Sequence, residues 1–261
     1  MTSTGSETSL FEKADAYEAF MGRYSTPLAS EFSRAAGVRP GDHVLDVGCG
    51  TGALTVVLAD IAGPEHVAAV DPSEPFVAQC RTRVPGADVR VAPAEALPFG
   101  DADFDHALSQ LVFHFVQDPG ASVAEMARVT RPGGMVAACV WDMSGGMTML
   151  RSYWDAVREA GLPEKDEVER FGVRRGQLVD LWRKAGLRNA REATLTVEAG
   201  YRDFDELWDS FRGGVGPAGA HAAALEGAER DAVRDALWRQ VGSPKGSFSL
   251  EARAWYAAGT V

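Results

Sequence analysis

The residues best placed to do chemistry lie in a glycine-rich segment at positions 44–52, which reads VLDVGCGTG. Glycine tolerates a positive φ and lets a ligand approach the backbone, and a helix that follows such a loop presents free N–H groups. The spacing Gly48-x-Gly50-x-x-Ala53 also matches the pattern that binds the pyrophosphate of a dinucleotide. The glycines therefore predict a nucleotide or nucleoside site without deciding between these ligands.

Two carboxylates beside this segment narrow the choice of ligand. Asp46 lies two residues before the first glycine, where it would repel a pyrophosphate at close range and would suit a cation. Asp71 follows the segment by about twenty residues, at the end of the next predicted strand, where a carboxylate accepts both hydroxyls of a ribose. Its alternative role is to cap a helix that starts at Pro72. A positively charged nucleoside without phosphates satisfies both carboxylates, and S-adenosylmethionine is the common one.

The elements that must position these residues follow from the hydrophobic pattern between Asp42 and Asp142. Short β-branched runs alternate there with stretches of helical period, which predicts βαβ units, a parallel sheet and a doubly wound α/β core. We expect five strands in this region, at residues 43–47, 67–70, 88–91, 104–111 and 135–141. The last of them follows a predicted turn at residues 131–134.

Regions of different character flank this core. Residues 10–37 are amphipathic and predict a helix packed on the core. After the core we expect helices at 147–159, 177–185 and 226–241, and strands at 193–197 and 247–257. The glycine cluster at 213–216 is either a hinge for a lid or a break between helices.

Composition excludes several classes of protein. The 261 residues are 46% apolar, enough for a packed core, and their net charge of −11 offers no basic surface for nucleic acid. The three cysteines, Cys49, Cys80 and Cys139, have no spacing typical of zinc, so we expect no metal site and a reducing, cytoplasmic compartment. Because no run of about 18 apolar residues occurs, we expect a soluble protein without membrane insertion.

Five motifs in order resemble the class I S-adenosylmethionine-dependent methyltransferases, in the small-molecule group described as type 11 or ubiquinone-biosynthesis-like. The motifs are the segments 44–52 (VLDVGCGTG), 70–73 (VDPS), 94–99 (AEALPF), 104–110 (FDHALSQ) and 128–134 (RVTRPGG). The similarity covers roughly residues 17–142 well and the remainder only in general layout. It implies a mostly parallel Rossmann-like sheet with an antiparallel last strand, and methyl transfer from S-adenosylmethionine, which leaves S-adenosylhomocysteine.

The resemblance also implies an organisation. Residues 1–37 would form an N-terminal helical cap over the cofactor, residues 38–142 the cofactor-binding core, and residues 143–261 the acceptor-side helices and the last two strands, all within one structural domain. The acceptor would be a small molecule.

By the same resemblance, each cofactor-binding residue has a role. The glycines approach the methionine moiety, Asp46 orders that end through water, Asp71 holds the ribose, and Ser73 borders the adenine. Arg23 would pair with the cofactor carboxylate, and its alternative role is that of a surface salt bridge. Ser109 would offer its backbone carbonyl to the ammonium. The complete expected set is Tyr17, Met21, Arg23, Asp46, Gly48, Cys49, Gly50, Asp71, Pro72, Ala94, Glu95 and Ser109.

One position departs from the family. Many relatives have Asp before the Ala-Glu pair, where it accepts a hydrogen bond from the adenine amino group, but this chain has Pro93. That hydrogen bond is lost or moves to Glu95, whose alternative role is that of a solvated loop acid.

His114 is the candidate general base, because it follows the fourth strand where the acceptor pocket of this fold usually opens. Its alternative role is that of a packed, hydrogen-bonded side chain. Four aromatic residues are candidates either to line that pocket or to belong to the core: Phe113, Phe115, Trp141 and Trp154.

Two other functions fit the glycine loop, namely an NAD(P)-dependent oxidoreductase and a protein that binds S-adenosylmethionine without transferring its methyl group. The acceptor and the oligomeric state are not predicted.

Overall fold

The computed structural model describes residues 18–163 and 171–261, which divide into two compact units. The core unit comprises residues 26–142, 171–196 and 253–261. The helical unit comprises residues 18–25, 143–163 and 197–252. The glycine segment and most of the predicted site residues belong to the core unit.

Seven strands of the described residues form a single sheet in the order β3-β2-β1-β4-β5-β7-β6. The strands are β1 (Val44–Val47), β2 (Val67–Asp71), β3 (Asp88–Val91), β4 (Phe104–Gln110), β5 (Thr130–Trp141), β6 (Arg188–Tyr201) and β7 (Phe248–Thr260). The first five run parallel, and β7 runs antiparallel to β5. The predicted Rossmann-like sheet with an antiparallel last strand is therefore confirmed.

The order of the strands fixes where a ligand can bind. From β1 the chain first builds outward through β2 and β3, and then returns to place β4 on the other side of β1. In doubly wound sheets the crevice outside the carboxyl ends of the strands at such a reversal is the usual ligand site. The glycine segment follows β1, directly at this point.

The described residues also form nine α-helices, which belong to both units. They are α1 (Arg23–Ala36), α2 (Ala53–Ala62), α3 (Glu74–Arg83), α4 (Pro119–Val129), α5 (Thr148–Glu159), α6 (Gln177–Lys184), α7 (Phe204–Arg212), α8 (Gly216–Ala224) and α9 (Gly227–Gln240). Every residue of β1 and β2 is buried, as expected for parallel strands covered on both faces. Trp182 of α6 is fully buried and donates its indole N–H to the Val136 carbonyl at 2.9 Å.

The turn predicted at residues 131–134 lies inside β5, which begins at Thr130 and not at Met135, and in the register with β4 these four residues have no partner. The pairing of β4 with β5 shifts between Phe104 and His106, so the strand starts with an irregularity rather than a separate turn. Gly133 takes a φ of +84° and donates its N–H to Val261 at 2.9 Å. Proline and glycine occur both in turns and at the irregular start of a strand, so the residue types here do not separate the two.

In the helical unit, aromatic side chains pack together. Tyr153 of α5 stacks on Phe211 of α7 with 4.4 Å between ring centroids, and its hydroxyl lies 2.7 Å from Nδ1 of His221. Residues 213–215 of the glycine cluster form the turn between α7, which ends at Arg212, and α8, which begins at Gly216. Within the described parts of both units, no helix is long and apolar enough to cross a membrane.

Candidate functional site

The glycine loop of residues 48–52 joins β1 to α2. The N–H groups of Gly48 and Cys49 both donate to the Val70 carbonyl of β2, at 2.8 and 2.9 Å. Gly48, Gly50 and Gly52 have φ values of +81°, +52° and +95°, in the left-handed region that favours glycine. These backbone conformations turn the chain sharply from the strand into the helix.

The three glycines differ in what surrounds them. A Cβ on Gly48 would lie 2.3 Å from a methyl carbon of Val112, and one on Gly52 would lie 3.0 Å from the Cys80 sulfur. At Gly50 a Cβ would meet no atom of the described residues within 4 Å. Gly48 therefore serves close packing, whereas Gly50 leaves its backbone open to a ligand.

Asp71 lies at the carboxyl end of β2 and is 8% exposed. Its Oδ2 accepts a hydrogen bond from the Gly50 N–H at 3.0 Å, and its Oδ1 accepts one from the Ser73 N–H at 2.9 Å. Ser73, not Asp71, occupies the N-cap position of α3. Because a carboxylate oxygen has two lone pairs, each oxygen of Asp71 can also accept a hydrogen bond from a hydroxyl group of a ligand.

Asp46 lies in β1 and is 1% exposed. Its Oδ2 accepts the hydroxyl hydrogen of Thr55 at 2.6 Å, whereas its Oδ1 has no hydrogen-bond partner among residues 18–163 and 171–261. Burial raises the pKa of the Asp46 carboxyl to about 8, against the lowering effect of the Thr55 hydrogen bond. A buried carboxyl oxygen without a partner is costly unless a ligand or a bound water supplies one.

The end of β4 contributes the next residues. Ser109 is fully buried and donates its hydroxyl hydrogen to the Val47 carbonyl at 2.9 Å. Leu111 takes a φ of +63°, unusual for a side chain of this size, and donates its N–H to the Cys139 carbonyl at 2.8 Å. The chain turns there, and Val112 comes to lie against Gly48.

His114 and Phe115 follow that turn. Their rings lie 4.0 Å apart between centroids, and Phe115 is 67% exposed, while His114 is half-buried. The other predicted aromatic residues, Phe113, Trp141 and Trp154, are buried at 5% exposure or less.

Ala94 and Glu95 lie in the loop after β3. Ala94 is buried, and Oε1 of Glu95 accepts hydrogen bonds from the N–H groups of Gln117 at 3.0 Å and Asp118 at 3.3 Å. Glu95 therefore ties its loop to the segment between β4 and α4. It is anchored rather than free in solvent.

The N-terminal predicted residues lie in the helical unit. Met21 is buried, and Arg23 donates to the Gly200 carbonyl and to Glu206, each at 3.1 Å. The Arg23 guanidinium also lies over the Tyr201 ring, 4.4 Å from its centroid. Tyr17 falls outside the described residues.

Sequence reasoning missed two residues of this site, Thr55 and Val112. Thr55 is fully buried on a helix face that is otherwise apolar, and a polar side chain at such a position was the available signal. Val112 gave no signal, because its role depends on how closely it approaches Gly48 in the folded chain.

The described residues hold no cluster of His, Cys, Asp and Glu suited to a metal ion.

Comparison with known proteins supports the sequence resemblance. Residues 45–138 match the family model described as "Methyltransferase domain". An uncharacterized protein of Mycobacterium tuberculosis strain H37Rv is 31% identical over 233 residues, which cover 84% of this chain and 81% of that protein. The malonyl-[acyl-carrier protein] O-methyltransferase of Pseudescherichia vulneris is 39% identical over 121 residues, which cover 46% of this chain and 47% of that enzyme.

Solved structures show the same fold. A structure from Anaeromyxobacter dehalogenans assigned to the type II methyltransferases superposes with a TM-score of 0.63 at 23% identity, covering 89% of this chain and 95% of that one. A geranyl diphosphate methyltransferase in complex with S-adenosylmethionine has a TM-score of 0.50 at 15% identity, covering 90% and 85%. The five ordered motifs, the family match and the sheet order agree, and the chain belongs to the class I S-adenosylmethionine-dependent methyltransferases.

Proposed function

We propose that this enzyme transfers the methyl group of S-adenosylmethionine to a small-molecule acceptor by in-line displacement, and releases S-adenosylhomocysteine. The observation that carries the proposal is the bond between the Asp71 carboxylate and the Gly50 N–H. This hydrogen bond places a carboxylate that can accept hydrogen bonds from ribose hydroxyls directly beside the unobstructed backbone of Gly50, at the carboxyl edge of the sheet.

The residues of the site fit this cofactor. Asp71 keeps a lone pair on each oxygen for the ribose hydroxyls, and Gly50 leaves room for the ligand against its backbone. The unpartnered oxygen of Asp46 suits the positively charged methionine end, directly or through water. We assign binding of the cofactor to the residues predicted from the sequence, which are Tyr17, Met21, Arg23, Asp46, Gly48, Cys49, Gly50, Asp71, Pro72, Ala94, Glu95 and Ser109.

When bound, the sulfonium of the cofactor supplies a methyl group with a good leaving group already in place. The chain then has to hold the acceptor in line with the methyl carbon and exclude water, which can account for most of the acceleration. Where the acceptor must lose a proton, we assign His114 as the base that takes it. An acceptor that is already nucleophilic needs no base.

Charge and exposure support a small, partly apolar acceptor. A net charge of −11 disfavours a polyanion such as nucleic acid. Phe115 exposes 67% of its surface beside His114, so an apolar or aromatic acceptor has a ring on which to stack. The three cysteines are buried free thiols, which is typical of the reducing cytoplasm in which we place the reaction.

Titration calorimetry of the full chain with S-adenosylhomocysteine and with NADH tests the cofactor. We expect binding of the first and none of the second. Binding of NADH alone would overturn the proposal.

Incubation with S-adenosylmethionine carrying a deuterated methyl group, followed by mass spectrometry across a panel of small acceptors, tests transfer. We expect a product heavier by one labelled methyl group. Tight cofactor binding with no labelled product across phenols, amines, thiols, carboxylic acids and stabilised carbanions would contradict transfer and favour a binding protein.

A further inference from the structure

Asp46 is held from one side only. Thr55 is the third residue of α2, and its hydroxyl hydrogen bonds to Oδ2 of Asp46 at 2.6 Å. Its backbone N–H, one of the donors that a helix N-terminus leaves unpaired, also interacts favourably with the carboxylate. The hydroxyl oxygen of Thr55 in turn accepts the thiol hydrogen of Cys80 from α3, at 3.5 Å. A chain of three side chains from three elements therefore ends on one oxygen of Asp46.

The other oxygen, Oδ1, is the unpartnered atom. The Thr55 hydroxyl already donates a hydrogen bond to Oδ2 of Asp46. The Asp46 carboxyl therefore cannot rotate to exchange the positions of its two oxygens without losing that hydrogen bond. We propose that Thr55 is a positioning residue that keeps Oδ1 of Asp46 for the cationic end of the cofactor, and that cofactor binding releases a proton from Asp46. This inference rests on the proposed function.

The surroundings of Asp46 favour the neutral carboxyl in the free enzyme. The titratable groups that face it are Asp71 at the end of β2, Cys80 on α3, Cys49 in the glycine loop and Cys139 on β5. These neighbours offer carboxylate and thiol groups and no cation, and the hydrogen bond with Cys49 lowers the pKa of the Cys80 thiol to about 7. The Asp46→Asn variant therefore also serves to separate a proton lost from Cys80 from one lost from Asp46. Burial places the pKa of Asp46 at about 8, so most molecules carry this proton at neutral pH. A cation brought to Oδ1 favours the ionised form and expels the proton.

The first test is calorimetry of the full chain with S-adenosylhomocysteine and S-adenosylmethionine at about pH 7, in buffers of different ionisation enthalpy. The slope of the binding enthalpy against the buffer enthalpy counts the protons released. For a group with a pKa of about 8, we expect close to one proton for S-adenosylmethionine. We expect fewer for S-adenosylhomocysteine, which lacks the sulfonium charge. The Asp46→Asn variant corrects for protons exchanged by the ligand's own amino group.

The second test is the pH dependence of affinity. Below the pKa of Asp46 in the free enzyme, a proton must leave, so affinity should rise about tenfold per pH unit and level off above it. Removing the hydroxyl with Thr55→Val raises that pKa, so the bend in the profile moves to higher pH and affinity near pH 7 falls roughly tenfold. Thr55→Ser keeps the hydroxyl and should keep the bend where it is.

The outcomes separate the two proposals. No binding of either ligand by the wild type overturns the proposed function itself. Binding without proton release beyond that of Asp46→Asn, or a bend that Thr55→Val leaves in place, overturns this inference and leaves the cofactor assignment standing. If Thr55→Val does not fold, the infrared band of a protonated carboxyl in the wild type answers the question, because it must be missing from Asp46→Asn and lost on ligand addition. A persistent band contradicts proton release.

Discussion

The carboxylate of Asp71 accepts a hydrogen bond from the backbone N–H of Gly50 at 3.0 Å, which ties the end of β2 to the loop that follows β1. The two strands are parallel neighbours, with Val47 paired to Val70, so both chains leave the sheet at the same edge. One carboxylate thus fixes the shape of the loop and faces the ligand side of the sheet.

This double role predicts the behaviour of Asp71→Ala. The variant should bind S-adenosylhomocysteine more weakly by about 1–3 kcal/mol, because the ribose hydroxyls lose a charged acceptor. It should also lose some thermal stability, since two backbone N–H groups lose their partner. Calorimetry and a thermal melt measure the two effects, with Asp60→Ala, an exposed acid on α2, as the matched control. Unchanged affinity would limit Asp71 to a structural role.

The glycine loop offers a sharper separation of packing from binding. Gly48→Ala would place a methyl group 2.3 Å from a Val112 methyl, so we expect a loss of stability of a few kcal/mol. Gly50→Ala meets no described atom within 4 Å, and its left-handed φ of +52° costs only about 1 kcal/mol. Gly50→Ala should therefore fold and lose cofactor affinity.

A second change checks the cause of the first. Replacing Val112 by Ala removes the two methyl groups nearest Gly48, so the double variant Gly48→Ala/Val112→Ala should recover part of the melting temperature relative to Gly48→Ala. If the double variant is less stable by the plain sum of the two single effects, the close contact is not what makes Gly48 necessary.

The sequence predicted the sheet and the loop because both leave a local signal. Strand β1 is apolar apart from Asp46, β2 is apolar up to Asp71 at its end, and glycines at alternate positions mark the turn. The edge strand β6 was predicted only at residues 193–197, whereas it spans Arg188–Tyr201. Its first half is exposed and polar, and the alternation of buried and exposed residues begins only at Leu195, so periodicity could not find its start.

Residues whose importance depends on distant contacts left no such signal. The left-handed φ of Leu111 brings Val112 against Gly48, and neither residue type announces this. Glu95 illustrates the same limit. Its local sequence would be the same whether its carboxylate were solvated or, as in the structure, accepted hydrogen bonds from the N–H groups of Gln117 and Asp118. Propensity describes neighbours in sequence, whereas these roles are set by the fold.

Arg23 can be tested against its own partner. Arg23→Ala and Glu206→Ala both remove the ion pair that the structure shows at 3.1 Å, and each should cost stability by roughly 0.2–1 kcal/mol. Only Arg23→Ala should weaken cofactor binding, by about 1.5–3 kcal/mol, if this arginine pairs with the cofactor carboxylate. Equal affinities for the two variants would assign Arg23 to the helical unit alone.

His114→Gln tests the proposed base. For an acceptor that must lose a proton, turnover should fall roughly 10²–10⁴-fold and the acidic limb of the pH profile should disappear, while cofactor affinity stays the same. The matched variant Phe115→Leu removes the ring packed on His114 and should change the affinity for the acceptor more than turnover. A drop in turnover of less than tenfold in His114→Gln would mean that this histidine only packs.

Asp46 should make the stability of the free enzyme depend on pH. Its folded-state pKa of about 8 lies above the ordinary value of 3.8, so the folded state binds more protons than the unfolded state between these values. Stability from this group is therefore fully present below about pH 4 and is lost as the pH rises through about 8. The Asp46→Asn variant carries no titrating group, so its melting temperature should exceed that of the wild type by a margin that widens over this range, equivalent to a few kcal/mol. Thermal melts of both proteins at about pH 5, 7 and 9 measure the margin. A margin independent of pH would show that Asp46 is ionised in the folded protein throughout.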